Sequence, residues 1–192
     1  ELMKYLIKLG SEITIKSDGV RKMCIKRLGR NITAHLDADM IDSRVSGSWD
    51  HIMLTVADIE DQEKVMSILK NISGIGHFYQ VEEHFIPDDI MLNTQEVFSF
   101  VSEKTLAYFL KRIANKSFVV RIKRSGKHIF KSIDLEREIW WDLFEAADNA
   151  RVNLHDPEIT VRLDIKENKL YVVKERIIGI NWYPTGFQDR VV

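Results

Sequence analysis

The spacing of apolar residues changes in a fixed order along this chain, and that order limits its fold more than any other feature. Met3 to Leu9 reads as a strand, and Ile13-Thr14-Ile15-Lys16 as a short extended piece after the turn at Gly10-Ser11. From Val20 the apolar steps become three and four residues, through Met23, Cys24, Leu28, Ile32 and Leu36, which is the stripe of a helix with one buried face. Ile41 to Ser46 and His51 to Val56 then read as a hairpin around Gly47-Ser48-Trp49-Asp50. Asp61 to Asn71 gives a second helix with Val65, Ile68, Leu69 and Ile72 on one side, and Ile75 to Val81 a closing strand. Strand, helix, hairpin, helix, strand is a βαββαβ unit whose two helices must bury their stripes on a sheet.

That order predicts a ferredoxin-like domain over residues 1–81. The acidic, proline-containing run Glu82-Glu83-His84-Phe85-Ile86-Pro87-Asp88-Asp89 marks a linker, taken as 82–96. A second domain is expected over 97–180. Val97, Phe98, Val101, Leu106, Phe109 and Leu110 suggest one or two helices ending near Asn115, and Phe118 to Arg124 a strand with Val120 and Ile122 on one face. Ser132 is placed as the N-cap of a helix carrying Leu135, Ile139, Leu143 and Ala147, with Asp134 and Glu136 at the positive end of its macrodipole. Ile159-Val161-Leu163-Ile165 alternates, turns at Glu167-Asn168 and returns from Leu170 to Ile178. The fold class is therefore α+β in both halves.

Charge is distributed less evenly than the formal net value of -1 suggests. From Lys104 to Lys131 there are nine Lys/Arg and no Asp or Glu; residues 1–35 hold eight basic and three acidic side chains, and residues 36–103 three and fourteen. Two basic regions flank an acidic one. Such clustering attracts a polyanion, because each neutralised phosphate releases condensed counterions whatever the base sequence. In the second half, Arg121 and Lys123 alternate away from Val120 and Ile122, Arg124, Lys127 and His128 follow them, and Arg137 opens the next helix. These groups are expected to converge on one phosphate track. Trp141, one turn beyond Arg137, either fills core with Trp140 or offers a stacking face to an unpaired base.

Several chemistries find no support. No glycine-rich nucleotide fingerprint occurs, and Ser125-Gly126-Lys127 lacks the residues that would let it cradle phosphates. The six histidines show no metal-ligand spacing, and nothing nominates a catalytic acid, base or nucleophile. Cys24 is the only cysteine, which fits a cytoplasmic location, and no apolar run is long enough to span a bilayer. Arg190-Val191-Val192 reads as the start of a further strand, after the Gly/Pro segment 179–186. A downstream domain is expected beyond it.

Leu6-Ile7-Lys8-Leu9-Gly10-Ser11-Glu12-Ile13-Thr14-Ile15-Lys16-Ser17, followed by Val20-Arg21 and Leu28 to Ile32, resembles the opening of the tRNA 4-thiouridine synthetase family, which is also linked to thiamine biosynthesis. Phe118 to His128 with Ser132 to Arg137 resembles that family's THUMP domain, an RNA-binding module. The resemblance spans essentially the whole chain. It implies that both domains grip tRNA, with THUMP on the single-stranded 3′ acceptor end. Lys16, Arg21 and Arg27, in the first basic region, are expected to orient the tRNA body through phosphate contacts. The resemblance implies a downstream ATP-pyrophosphatase domain, with residues 181–192 leading to it, that uses ATP and magnesium to thiolate uridine 8. It further implies a homodimer and a sulfur-donating cysteine desulfurase as partner of the full-length protein. Glu138-Ile139-Trp140-Trp141-Asp142 and Asn181-Trp182-Tyr183-Pro184 depart from the family's usual glycine-rich pattern. Two alternatives stay open on the residues alone: a THUMP module serving another tRNA-modifying enzyme such as a methyltransferase, and a ferredoxin-like small-molecule regulatory domain.

Overall fold

The structure, a computed structural model, describes residues 3–187. They form two compact units: 3–81 together with 174–187, and 82–173.

The first unit opens with β1 (Met3–Leu9), whose alternation buries Met3, Tyr5, Ile7 and Leu9. Gly10 leads into the four-residue helix α1 (Ser11–Thr14), so the piece expected to be extended at Ile13–Lys16 is helical instead. Its cause is local: Gly10 O accepts from both Ile13 N and Thr14 N, and Ile13 is buried beneath the turn. Helix α2 (Asp18–Ala38) buries Cys24, Ile25, Leu28, Ile32 and Leu36. Met23, expected on that stripe, is 58% exposed, because Cys24 and Leu28 set the inward face and Met23 falls about 100° away from it. Strands β2 (Ser43–Gly47) and β3 (His51–Val56) make the hairpin, α3 (Gln62–Lys70) follows, and β4 (Ile75–Phe85) closes the unit. In this unit the strand order is β2-β3-β1-β4, with β1 antiparallel to both β3 and β4. That is the ferredoxin-like arrangement, with Leu28, Ile32, Leu36, Val65 and Leu69 packed on Tyr5, Ile7, Ile52, Leu54 and Phe78. Each such buried aliphatic side chain contributes roughly 1.5–3 kcal/mol. Burial also pushes the Tyr5 phenol up to about 12.

The second unit contains the end of β4, the short helix α4 (Asp88–Met91) and the long helix α5 (Thr94–Ile113). The stretch 82–96, expected as a linker, thus carries regular structure through most of its length. Asn93 caps α5 by accepting from Gln95 N and Glu96 N, and the chain leaves the helix through Asn115 at φ 60°. Strand β5 (Ser117–Ser125), helix α6 (Ser132–Ala146), the two-residue β6 (Arg151–Val152), β7 (Ile159–Lys166) and β8 (Lys169–Ile178) complete the elements. Lys131 rather than Ser132 stands at the N-cap of α6, with no side-chain cap, so the expected Ser132 cap is not formed. Strand β5 runs parallel to β7, β7 antiparallel to β8, and β6 touches β5 only at Ser117 and Phe118. Helices α5 and α6 cover one face of this sheet, burying Val97, Val101, Phe109, Leu135, Ile139 and Leu143 against Phe118, Val120, Ile122, Val161 and Leu163.

From Lys174 the chain belongs to the first unit, although residues up to 180 were expected in the second domain. Gly179 N donates to Gly76 O, Asn181 N to Ile75 O, and Gly74 N to Asn181 O. The backbones approach so closely that a Cβ on Gly179 would lie 2.3 Å from Ile75 O. The expected strand at Arg190-Val191-Val192 lies outside the described residues. No helix among the described residues is long and apolar enough to cross a membrane.

Gly179→Ala is expected to cost about 1–3 kcal/mol in urea unfolding, because the new methyl meets backbone rather than a yielding side chain. Gly19→Ala, with nothing within 4 Å of its Cβ, is expected to be neutral or to stabilise by up to about 1 kcal/mol.

Candidate nucleic-acid interface

Alternation in the second unit decides which cations are presented. Val120 and Ile122 face the helices and are buried, so Arg121 and Lys123 project from the opposite face of the sheet, where both are exposed. The parallel register sets Arg121 beside Arg162 and Lys123 beside Asp164. Arg162 and Lys166 were not singled out from sequence, yet the clean alternation of Ile159, Val161, Leu163 and Ile165 already placed them on the outward face. Arg121 also donates from Nη1 to its neighbour's carbonyl, Val120 O, at 3.1 Å. Tyr171, across from Asp164, is raised to about 12 by burial first and by the Glu83 carboxylate second, so it stays a neutral phenol.

The loop after β5 uses two of the expected cationic residues to hold itself together. Arg124 donates from Nη1 to His128 O at 3.4 Å and lies 5.9 Å from the Phe130 ring centroid. His128 Nε2 sits 2.8 Å from Glu167 O, its ring 5.3 Å from Phe130. Gly126, at φ 100°, turns the chain where a Cβ would collide with the Glu167 carboxylate. Lys127 is left exposed on this loop. Glu136 reaches from α6 to accept from Ile122 N at 2.8 Å, satisfying a strand edge that β6 does not cover.

Arg137 and Trp141 do not join Arg121 and Lys123. Leu135, Ile139 and Leu143 turn one side of α6 to the core, which leaves Arg137 and Trp141 on its outer side, across the layer from the cationic sheet face. Arg137 is loosely paired with Asp134 at 4.0 Å. Trp140 packs against the core and stacks on Phe144 at 5.4 Å and 5°, whereas Trp141 remains 50% exposed. The single phosphate track expected from sequence is therefore two surfaces.

In the first unit, the three expected residues also divide. Lys16 is exposed, its ammonium 5.8 Å from the Tyr183 ring. Arg27 donates from Nε to Thr185 O at 3.2 Å, and Asn31 reaches the same carbonyl at 3.1 Å, so Arg27 fastens the 179–187 segment to α2. Arg21 braces the α1 turn through Thr14 O and Lys16 O and lies 5.6 Å from the Trp49 ring. Beside that tryptophan, Asp50 accepts from Lys8 Nζ at 3.0 Å and approaches His51 Nδ1 at 2.6 Å. Burial alone would raise the Asp50 carboxyl, but the bonds from His51 and Lys8 outweigh it and hold it below the usual carboxylate range. No group of three or more His, Cys, Asp or Glu among the described residues could hold a metal ion.

Residues 4–78 match the ThiI ferredoxin-like domain and residues 96–174 the THUMP domain. Over 99% of its length the chain is 40% identical to the tRNA sulfurtransferase of Pectobacterium atrosepticum, of which it covers 38%. The chain carries a ThiI ferredoxin-like domain followed by a THUMP domain. It spans well under half the length of the curated relatives it matches. Among solved structures it resembles PH1313 from Pyrococcus horikoshii, with a TM-score of 0.74 and 18% identity over 96% of this chain and 58% of that one. It also resembles a 4-thiouridine synthetase crystallised with RNA and ATP, at 0.70 and 20% identity over 97% of this chain and 44% of that one. These likenesses support the ferredoxin-like and THUMP folds of the two units.

Because the Asp50 carboxyl is lower in the folded ferredoxin-like unit than the ~3.9 of an unfolded chain, its stabilising contribution is present above that value and is lost as pH falls through the folded one. The difference in urea midpoint between wild type and Asp50→Asn should therefore be larger at pH about 6 than at pH about 2.5. A difference that stays constant with pH would show that Asp50 makes no charge-dependent contribution.

Proposed function

We propose that this chain is the tRNA-binding part of an ATP-dependent tRNA sulfurtransferase that makes 4-thiouridine at tRNA position 8, with the THUMP unit holding the 3′ acceptor end. The observation that carries this reading is the outward face of β5 and β7, where Arg121, Lys123, Arg162 and Lys166 stand on a sheet in a domain of the THUMP family. Relatives named tRNA sulfurtransferase align along nearly the whole chain, and one solved neighbour is a 4-thiouridine synthetase in complex with RNA. ATP, magnesium and the sulfur-transferring chemistry belong, on this reading, to sequence beyond the chain. A cysteine desulfurase and a second copy of the chain are its further proposed partners.

What the chain itself does is electrostatic positioning. Side chains on rigid strands set phosphates in register without reading bases, so affinity should depend steeply on salt. The two tethered residues, Arg124 and His128, act on this surface indirectly by fixing the loop that carries Lys127. An uncovered end of tRNA would meet the sheet face as a single strand, and its slope would be about -0.7 per phosphate neutralised.

Arg121→Ala/Lys123→Ala should weaken binding of intact tRNA and flatten the plot of log affinity against log salt by roughly 0.7 for each phosphate that is no longer neutralised. Both side chains are exposed, so the melting transition should stay within about 0.5 kcal/mol of wild type. Unchanged affinity and slope across the salt titration would remove the sheet face from the interface.

A further inference from the structure

Helix α2 and the β2–β3 hairpin of the ferredoxin-like unit enclose an open groove of about 740 Å³. Lys22, Lys26 and Arg30 line it at four-residue intervals, which places them along one side of the helix at a rise of ~6 Å per step. Ile25 and Gly29 lie between them, and Trp49 stands at the hairpin end. Among the described residues that line the groove, Asp37 is the one carboxylate. Among the described residues, moreover, none of the three cations has an ion-pair or hydrogen-bond partner. They differ in this from Arg21 and Arg27, which the fold uses for its own bracing.

Trp49 is held in place yet open. It is 68% exposed, Arg21 lies over its ring, and the Lys8–Asp50–His51 cluster fixes the next residue of the turn. A flat aromatic surface prepared in this way beside a row of unpaired cations matches the two needs of an unpaired RNA strand, phosphate neutralisation and a stacking platform for a base. An acidic peptide would use the cations and leave Trp49 without a role.

We propose that this groove binds a single-stranded stretch of RNA, its phosphates along Lys22, Lys26 and Arg30 and one unstacked base on Trp49. The proposal rests on the reading that the chain binds tRNA, and adds a second binding surface that is separate from the THUMP sheet face. Gly29 allows the groove to be filled without changing its charge: a Cβ there would make only ordinary contact with Val45 at 3.5 Å.

The test uses the 192-residue chain and fluorescence anisotropy with intact tRNA and with a labelled single-stranded oligoribonucleotide of about eight nucleotides, within the site size of known single-strand binders. Trp49→Ala should lose roughly tenfold in affinity for the oligonucleotide, the size expected for one stacked base. Lys22→Ala/Lys26→Ala/Arg30→Ala should flatten the salt slope by about 2. Gly29→Leu should weaken binding without removing any charge, at a melting temperature equal to or above that of wild type, since glycine is a poor helix former. If these variants bind both RNAs as wild type does while Arg121→Ala/Lys123→Ala weakens tRNA binding, the groove proposal is overturned and the tRNA reading stands. If neither set weakens tRNA binding, both fall. Loss of polyglutamate binding by the triple variant, with RNA binding intact, would overturn the proposal in favour of an acidic protein partner.

Discussion

The parallel pairing of β5 with β7 is the constraint on which the cationic face depends. Val120 opposite Val161 and Ile122 opposite Leu163 are buried under α5 and α6, and this burial fixes which side Arg121, Lys123, Arg162 and Lys166 occupy. A slip of one residue in either strand would carry charge into the core and apolar side chains into water. The cost of burying an unpaired charge, several kcal/mol after relaxation, is what makes the register unique. The cationic face and the core are thus two consequences of one alternation.

The ferredoxin-like unit solves a different problem with its cations. Helix α2 is basic on several sides, and the fold assigns those sides distinct tasks. Arg27 and Asn31 share the Thr185 carbonyl, and Arg21 holds a turn and a tryptophan, while Lys22, Lys26 and Arg30 line the groove without a partner among the described residues. Surface ion pairs contribute little, but bonds from a guanidinium to backbone carbonyls position segments that lack regular structure. The 179–187 segment is such a case, with its backbone pressed against Ile75 and Gly76.

Sequence reasoning reached the elements more readily than the site. The helix and strand periods from Val20 to Ile72 and from Ile159 to Ile178 are visible without coordinates because each element buries one face. The α1 turn was missed because Ile13 and Ile15 mimic strand alternation, while the deciding bonds to Gly10 O are local. Arg21, Arg27, Arg124 and His128 read as free cations because charge is legible in a sequence and the carbonyl that a side chain will meet is not; for Arg27 that carbonyl lies 158 residues away. Likewise the separation of Arg137 and Trp141 from Arg121 and Lys123 depends on which side of a sheet a helix packs. Lys22, Lys26, Arg30 and Trp49 were passed over since their significance comes from a hairpin returning beside α2.

The central claim is that the THUMP unit takes an unpaired tRNA end through the cationic sheet face. Comparing the affinity of the chain for intact tRNA and for the same tRNA shortened by its unpaired 3′ nucleotides tests this most directly. A large loss on shortening, much reduced when Arg121 and Lys123 are both alanine, is the predicted result. Equal affinity for the two RNAs would contradict the account.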